Sequence, residues 1–262
     1  MSRETLSNTT MSSSRDRLYA EVKSDIEGFL FDSKVAAVFE DMIRRSVPGY
    51  GTAVAMTGFI AASYAQDGTN LYDLGCSLGA TTASILQYQQ AQHCTIIAVD
   101  SSQSMIDSCR GAVDSGDAGD IQLVCDDIRD IGITNASVVV LNFTLQFIPV
   151  DQRLGLLQKI YAGMVPGGVL ILSEKLAFEH QQQQLFTDLH HAFKQANGYS
   201  ELEISQKRTA LENVLVPETL EQHRQRLRQA GFAAVYCWYQ CLNFASLIAF
   251  KSGSTPDATD DE

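Results

Sequence analysis

The segment Gly75–Gly79, GCSLG, matches the patterns of two different functional sites. It fits G-x-S-x-G, the turn that presents a nucleophilic serine in α/β-hydrolases. It also fits the glycine loop of a nucleotide-binding α/β domain, which follows a strand ending in an acid, here Asp73, and opens a helix. In the first case Ser77 attacks a substrate, and in the second case its loop only holds a ligand.

Polar side chains also follow the next three predicted strands. Asp100 ends the second strand, 25 residues after Gly75, close to where a carboxylate accepts both ribose hydroxyls of a nucleotide. Asp127 and Ile128 follow the third strand, and Asn142 ends the fourth. Because the carboxyl ends of parallel strands form the ligand-binding edge of an open α/β sheet, we expect these residues to line one site.

The histidines do not favour a hydrolase. In an α/β-hydrolase the serine turn lies mid-sheet, and the acid and histidine of the triad follow it in order. Here the turn follows the first predicted strand, and none of the five histidines lies on a loop directly after a predicted strand. We therefore expect Ser77 to offer its small side chain, backbone N–H and hydroxyl to a bound ligand.

A dinucleotide site of the Rossmann type shares the glycine loop and the acid. Its pyrophosphate needs a tight third glycine and an undisturbed helix N-terminus, whereas residues 75–80 read G-C-S-L-G-A. A terminal β-hairpin is also not typical of such domains. S-adenosylmethionine, which has no phosphate, suits this loop better.

The elements that position these residues alternate short apolar runs with amphipathic stretches, which is typical of βαβ units and a parallel sheet. Helices are predicted near residues 78–90, 103–113 and 151–164. The predicted strands are NLYDLG, CTIIAVD, DIQLVC, SVVVLNF and GGVLILSE, followed after one more helix by the hairpin strands AAVYCWYQCL and ASLIAFKS. This layout predicts an α/β class I methyltransferase (Rossmann-like) fold with a mostly parallel seven-stranded sheet and helices on both faces. Trp238 is expected in the core of the sheet.

Two predicted helical segments lie outside that sheet and are expected to cover the mouth of the site. Residues 20–65 form an N-terminal helical extension, and residues 178–215 form an insert before the last helix. One domain is expected over residues 21–251, with disordered ends over 1–20 and 252–262.

The charge of the chain limits the kinds of partner that it can bind. The chain has 19 basic and 31 acidic residues, a formal net charge of −12, and removing the four acids of its tail still leaves −8. Such an acidic chain disfavours direct nucleic-acid binding, where Lys and Arg must displace counterions.

No apolar run approaches the ~18 residues of a membrane helix, and the polar start lacks a signal-peptide core, so a cytoplasmic protein is expected. The six cysteines form no CxxC pair and predict free, buried thiols and no metal site.

Five stretches of the chain resemble the bacterial carboxy-S-adenosyl-L-methionine synthases. They are IRRSVPGY, YDLGCSLGA, DDIRDI, VVLNFTLQF and NGYSELEISQKR, and the likeness runs from about Phe31 to Lys251. The glycine loop is common to class I methyltransferases, whereas RRSVPGY and NGYSELEISQKR are far more specific.

The resemblance implies an activity and a set of partners. Members of that family convert S-adenosylmethionine and prephenate into carboxy-S-adenosylmethionine and phenylpyruvate, and a downstream enzyme uses the product to carboxymethylate a wobble uridine of tRNA. A homodimer is implied as well. Carried onto this sequence, the binding residues are Tyr50, Gly75, Cys76, Ser77, Asp100, Ser101, Asp127, Ile128, Asn142 and Arg208. Ser101 departs from the asparagine expected there, so only a backbone contact is implied at that position.

Arg208 acquires a chemical role from the resemblance. The sulfonium of S-adenosylmethionine is positive, so an arginine beside its methyl group is repulsive unless a carboxylate lies between them. A guanidinium can clamp that carboxylate through two parallel hydrogen bonds. The implied chemistry removes a proton from the methyl group and adds the carboxyl group lost by prephenate, with no enzyme nucleophile and an unassigned general base. Arg44 or Arg45 is a candidate for holding the dicarboxylate.

Two alternatives stay open at this point. A conventional S-adenosylmethionine-dependent methyltransferase acting on tRNA or a small acid has the same fold and the same loop, so only the insert and the charge argue against it. A non-catalytic nucleotide-binding partner of another enzyme is the second alternative, and the intact Asp100 and Arg208 count against it.

Overall fold

A seven-stranded sheet organises the protein. The computed structural model describes residues 14–26, 28–113, 120–212 and 214–253, without the side chains of residues 112 and 113. The strands are Asn70–Leu74 (β1), Thr95–Asp100 (β2), Asp120–Cys125 (β3), Ala136–Asn142 (β4), Met164–Lys175 (β5), Ala234–Cys241 (β6) and Phe244–Phe250 (β7). Their order is β3-β2-β1-β4-β5-β7-β6. Strands β1 to β5 are parallel, and β7 runs antiparallel between β5 and β6.

The helices follow the predicted pattern. They are Ser33–Ser46 (α1), Tyr50–Tyr64 (α2), Ala80–Tyr88 (α3), Gln103–Val113 (α4), Val150–Gly163 (α5), His180–Ala196 (α6), Glu201–Leu211 (α7) and Leu220–Gln229 (α8). Capping residues fix where several helices begin. The Asp32 side chain accepts hydrogen bonds from backbone N–H groups in the first turn of α1, and reciprocal capping boxes begin α7 at Ser200 and α8 at Thr219.

The sheet is covered on both faces, as the alternation of β4 shows. Val138 and Val140 pack in the cluster that includes α2 and α3, whereas Val139 and Leu141 pack in the cluster that includes α5 and α8. All four side chains are fully buried. Burial of this kind contributes about 1.5–3 kcal/mol for each such side chain, so the central strands hold a rigid edge on which a site can be built.

The additions to the sheet meet in a third apolar cluster, which we call the roof. It joins residues 14–26 and 28–31, α1 and α7 next to the glycine loop, and its members include Phe29, Met42 and Ala210 together with Met105 of α4 and Leu78 of the loop. The two helical additions therefore pack against each other and against Leu78 of the glycine loop.

The predicted fold is confirmed, with three differences of detail. Strand β6, with Trp238, is an edge strand and only partly buried, because the hairpin places β7 beside β5. Residues 14–20 lie in the segment predicted to be disordered, yet Asp16 is 2% exposed and hydrogen-bonds to Tyr199. Cys125 is exposed rather than buried, although all six thiols are free. Residues 1–13 and 254–262 lie outside the described residues.

Within the described ranges, no helix is both long and apolar enough to cross a membrane.

Candidate functional site

The glycine loop lies between β1 and α3, at the carboxyl edge of the sheet. Gly75 has a φ of +83°, and an added Cβ there would overlap the side chain of Thr144. The N–H groups of Gly75 and Cys76 both donate to the carbonyl of Val99, at 2.8 and 2.9 Å. Gly79 caps α3 with a φ of +82°. The loop is thus fixed by backbone geometry that favours glycine, which leaves its surface free to approach a ligand.

Asp100 braces this loop from β2. Its Oδ2 accepts from the N–H of Ser77 at 3.0 Å, and its Oδ1 accepts from the N–H of Ser102 at 2.9 Å. Burial raises the pKa of Asp100, and these two bonds oppose that rise. Each oxygen keeps a further lone pair, so the carboxylate can still accept ribose hydroxyls. Ser101 lies beside it, exposed, and its carbonyl faces the thiol of Cys125.

Ser77 has no catalytic partner in the described part of the chain. Its hydroxyl points to the sulfur of Met105 at 3.4 Å, and its backbone has a φ of +51°. No histidine hydrogen-bonds to it, so nothing there can take its proton. The geometry supports a loop that holds a ligand and not a nucleophile.

Asn142 ends β4 directly beside the loop. Its Nδ2 donates to Thr81 Oγ1 at 2.9 Å, whereas its Oδ1 is buried and has no hydrogen-bond partner among the described residues. A buried acceptor without a donor is costly, and an ammonium group would satisfy it. Asn142 therefore fits the amino-acid end of S-adenosylmethionine.

Asp73, the acid that precedes the loop, is fully buried. It accepts from Thr82 Oγ1 at 2.6 Å, and burial raises its pKa to about 6, with a smaller contribution from the charge of Asp100. Tyr50 is the first residue of α2 and lies nearby. Its ring is 6.1 Å from that of Phe143, and its pKa is raised by burial and then by the charge of Asp73. The structure thus brings Tyr50 to the same edge as the loop.

Asp127 and Ile128 follow β3, on the far side of Asp100. The carboxylate of Asp127 is held by Arg129, whose Nε and Nη2 donate at 2.9 and 2.6 Å, and this contact lowers the pKa of Asp127. Ile128 is buried, and its carbonyl accepts from Lys159 at 3.2 Å. The turn after β3 is therefore already held in place at the edge of the sheet where the nucleotide base of the ligand would lie.

Arg208 lies on α7 and is exposed, next to the buried Lys207. Among the described residues, no acid forms an ion pair with Arg208. Burial lowers the pKa of Lys175 and of Lys194, and nearby positive charges that include Arg208 lower both further, so the three cations are neighbours. This arrangement can receive an anion.

The two arginines before Pro48 are already occupied. Arg45 donates to Asp41 at 2.6 Å and to the carbonyl of Asp16 at 2.9 Å, and its guanidinium stacks on the Tyr199 ring at 3.9 Å. Arg44 forms an exposed pair with Glu40. Arg45 therefore supports the roof and is not free to hold a substrate.

Sequence reasoning missed several residues of this edge. Lys175 ends β5, where the rule that selected Asp100 and Asn142 would also have found it. Glu174, fully buried before it, accepts from the N–H groups of Leu145 and Gln146 at 2.8 and 3.0 Å and so fixes the turn after Asn142; burial raises its pKa to about 8. Lys194 lies in the insert, and no motif marks it.

Across the part of the chain that the structure describes, no group of three or more His, Cys, Asp or Glu side chains could hold a metal ion.

Known proteins resemble this chain in fold and in sequence. A methyltransferase-domain family model matches residues 71–168. A putative O-methyltransferase of Nostoc punctiforme superposes with a TM-score of 0.60 at 14% identity, over 89% of this chain and 66% of that one. Human N-acetylserotonin methyltransferase, solved with SAM, gives a TM-score of 0.55 at 17% identity, over 83% and 56%. These likenesses show the fold.

Much closer sequences are the curated carboxy-S-adenosyl-L-methionine synthases. That of Trichlorobacter lovleyi is 58% identical over 92% of this chain and all of its own length. Those of Geobacter sp. strain M21 and Shewanella piezotolerans are both 54% identical over the same shares. With the glycine loop, the strand-end residues and Arg208 in place, the chain belongs to the carboxy-S-adenosyl-L-methionine synthase family.

Proposed function

We propose that this chain converts S-adenosylmethionine and prephenate into carboxy-S-adenosylmethionine and phenylpyruvate. The observation that carries the proposal is Arg208, an arginine without an acidic partner among the described residues, at the edge of a site built for a positively charged sulfonium ligand. A positive side chain there is unfavourable unless a carboxylate lies between the two charges. The curated relatives, at 53–58% identity, are named carboxy-S-adenosyl-L-methionine synthases.

The residues of the loop fit S-adenosylmethionine as the first substrate. Asp100 can accept the ribose hydroxyls, Asp127 and Ile128 lie where the base would lie, and the partnerless Oδ1 of Asn142 suits the ammonium group. S-adenosylmethionine supplies a sulfonium methyl group that can lose a proton. The chain's part is to hold that group beside the incoming carboxyl group.

The reaction balances without an enzyme nucleophile. Prephenate loses its ring carboxyl group and its ring hydroxide and becomes aromatic phenylpyruvate. The methyl carbon of S-adenosylmethionine loses a proton and forms a bond to the released carbon dioxide, and the proton and the hydroxide leave as water. Arg208 stabilises the carboxylate at the start and in the product, so its contribution is electrostatic and positional.

A conventional methyltransferase gains no advantage from the three neighbouring cations Lys175, Lys194 and Arg208. Methyl transfer turns the sulfonium into a neutral thioether and places the methyl group on a nucleophile, and three positive side chains around that acceptor lower its nucleophilicity. A nucleophilic Ser77 is also unsupported, since within the described ranges its hydroxyl points to the Met105 sulfur and to no base. The carboxylating reaction uses the cations directly.

The remaining partners follow from the product. We propose a cytoplasmic homodimer whose product is consumed by a separate tRNA carboxymethyltransferase acting on the wobble uridine. This chain does not bind the tRNA itself, since its net charge of −12 opposes contact with a phosphate backbone.

Mass spectrometry tests the proposed reaction. Purified protein is incubated with S-adenosylmethionine, with and without prephenate carrying a heavy carbon in its ring carboxyl group. The expected product is S-adenosylmethionine plus one carboxyl group in place of hydrogen, containing the heavy carbon, together with phenylpyruvate. Appearance of S-adenosylhomocysteine and a methylated acid instead would identify a conventional methyltransferase.

A further inference from the structure

Most of the motif NGYSELEISQKR has no role in the site described above, since only its last residue, Arg208, is assigned to a ligand. Three polar side chains of the motif, Tyr199, Gln206 and Lys207, are buried. A buried polar group is costly unless other groups pair with it, so its partners show what it holds. All three contact residues 14–26 and 28–31, which we call the strap.

The Gln206 side chain holds the middle of the strap at three points. Its Nε2 donates to the carbonyls of Tyr19 and Glu21 at 3.0 and 2.8 Å, and its Oε1 accepts from the N–H of Lys23 at 2.8 Å. This part of the strap lies in no helix or strand, so its backbone groups need partners from elsewhere in the chain. One side chain of α7 therefore fixes the course of the strap here.

Contacts at both ends of α7 extend this attachment. Just before the helix begins, the Tyr199 hydroxyl donates to Asp16, and Lys207 lies 3.7 Å from the same carboxylate. Near the end of the helix, the carbonyl of Ala210 accepts from the N–H of Phe29 at 3.0 Å. The strap thus contacts α7 from just before its first residue to its last turn.

The last residue of the strap reaches the ribose side of the site. The Phe31 carbonyl accepts from Ser102 Oγ at 2.6 Å, and the Phe31 ring lies 5.2 Å from that of Phe147. Ser102 in turn donates its N–H to Asp100 at 2.9 Å. The strap therefore links α7, which carries Arg208, to the carboxylate that is proposed to accept the ribose hydroxyls.

The position of Arg208 depends on this link. Arg208 directly follows Gln206 and Lys207, so the strap holds the two residues that fix where its backbone lies. A bidentate clamp works only when it is held within about 0.5 Å of its productive geometry. A small shift of α7 relative to Asp100 would therefore leave the fold intact and remove the clamp.

We propose that the strap is a positioning element of the reaction, and that Gln206 is the positioning residue that sets Arg208 relative to the bound sulfonium ligand. Gln206 acts through Arg208, because its own side chain faces the strap. The inference rests on the proposed function and adds to it a role for the strap and for the buried polar residues of the motif.

Dissociation constants for two ligands test this assignment. Titration calorimetry on the full chain compares carboxy-S-adenosylmethionine with S-adenosylmethionine. Gln206→Met, which keeps the length of the side chain and removes its amide, should bind the carboxylated ligand at least tenfold more weakly and S-adenosylmethionine within threefold of wild type. Gln195→Met, the same substitution at an exposed position of α6, should bind both ligands as wild type.

A second variant covers the case in which Gln206→Met does not fold. Tyr199→Phe removes only the hydroxyl that is bonded to Asp16, and it should weaken the carboxylated ligand at least threefold with S-adenosylmethionine unchanged. Equal losses for the two ligands in both variants would show that the strap only supports the fold, which would overturn the inference.

A double-mutant cycle shows whether Gln206 acts through Arg208. In an Arg208→Ala background, Gln206→Met should cause no further selective loss of the carboxylated ligand, because the group that it positions is gone. The same selective loss in both backgrounds would mean that the two residues act independently, and the inference would fail.

The outcomes also separate this inference from the proposed function. If the wild-type protein forms the carboxylated product while Gln206→Met and Tyr199→Phe bind both ligands as wild type, the inference is overturned and the function stands. If the wild-type protein forms no such product but the selective, non-additive loss is observed, the positioning role stands and the proposed reaction fails.

Discussion

The hydroxyl of Tyr199 donates to Oδ2 of Asp16 at 2.5 Å and so ties the turn between α6 and α7 to the N-terminal segment. The same carboxylate faces Lys207 at 3.7 Å, and the backbone carbonyl of Asp16 accepts from Arg45 at 2.9 Å. Asp16 thus joins α1, α7 and the turn between α6 and α7 to the N-terminal segment.

Asp16→Asn should be strongly destabilising. It removes the counter-charge of Lys207, which is 5% exposed, and breaking a buried pair from one side typically costs about 3–5 kcal/mol. Urea unfolding measures the loss, and Asp25→Asn, at an exposed position of the same segment, is the matched control. A loss below ~1 kcal/mol, typical of a surface pair, would show that the contact does not hold the roof.

Asp100→Ala should weaken the binding of S-adenosylmethionine. The ribose hydroxyls lose a charged acceptor worth about 1.5–3 kcal/mol, and the N–H groups of Ser77 and Ser102 lose theirs. Titration calorimetry measures the dissociation constant, with Asp107→Ala on the exposed side of α4 as control. An unchanged constant would place the ribose elsewhere.

Ser77→Ala should leave most of the activity. The variant loses one hydroxyl whose contact is the Met105 sulfur, so the expected cost is about 0.5–1.5 kcal/mol at most. Steady-state kinetics of product formation provide the measurement. A drop of more than about a thousandfold in rate, with substrate still bound, would restore Ser77 as a nucleophile.

Arg208→Ala should lose affinity for carboxy-S-adenosylmethionine far more than for S-adenosylmethionine. A charged bidentate bond to the added carboxylate is worth about 1.5–3 kcal/mol, and only the product carries that group. Arg208→Lys should recover part of the loss, because an ammonium group cannot reproduce the planar fork. Dissociation constants for both ligands are compared in each protein. Equal losses for the two ligands would mean that Arg208 only supports α7.

The sequence predicted the sheet and most of its edge because both depend on local patterns. Apolar runs of strand length, separated by helical stretches, are sufficient to identify β1 to β5 as parallel strands, and the residue after each run is then at the ligand edge. Asp100 and Asn142 were found in this way. The capping residues of α7 and α8 are equally local.

The rest depends on contacts between distant segments. The position of α6, which carries Lys194, depends on the contact of His190 with the carbonyl of Ser46, 144 residues earlier in the chain. Asp16 is buried by Tyr199, 183 residues away, so its sequence neighbours give no sign of order. Trp238 was placed in the core because its strand is apolar, but the hairpin order that moves β6 to the edge is decided by pairing with β7.

Lys207 and Arg208 occupy consecutive positions of α7 but lie on different sides of it. Lys207 is buried against Asp16 and Ser46, and Arg208 is exposed near Lys194. Consecutive helical residues differ by about 100° in direction, so inserting or deleting one residue between Ser200 and Lys207 would rotate both side chains out of place. The exposed side chains of this helix other than Arg208 can change over evolution with little consequence, whereas its residue count cannot. Homologues with this activity should therefore align through α7 without a gap.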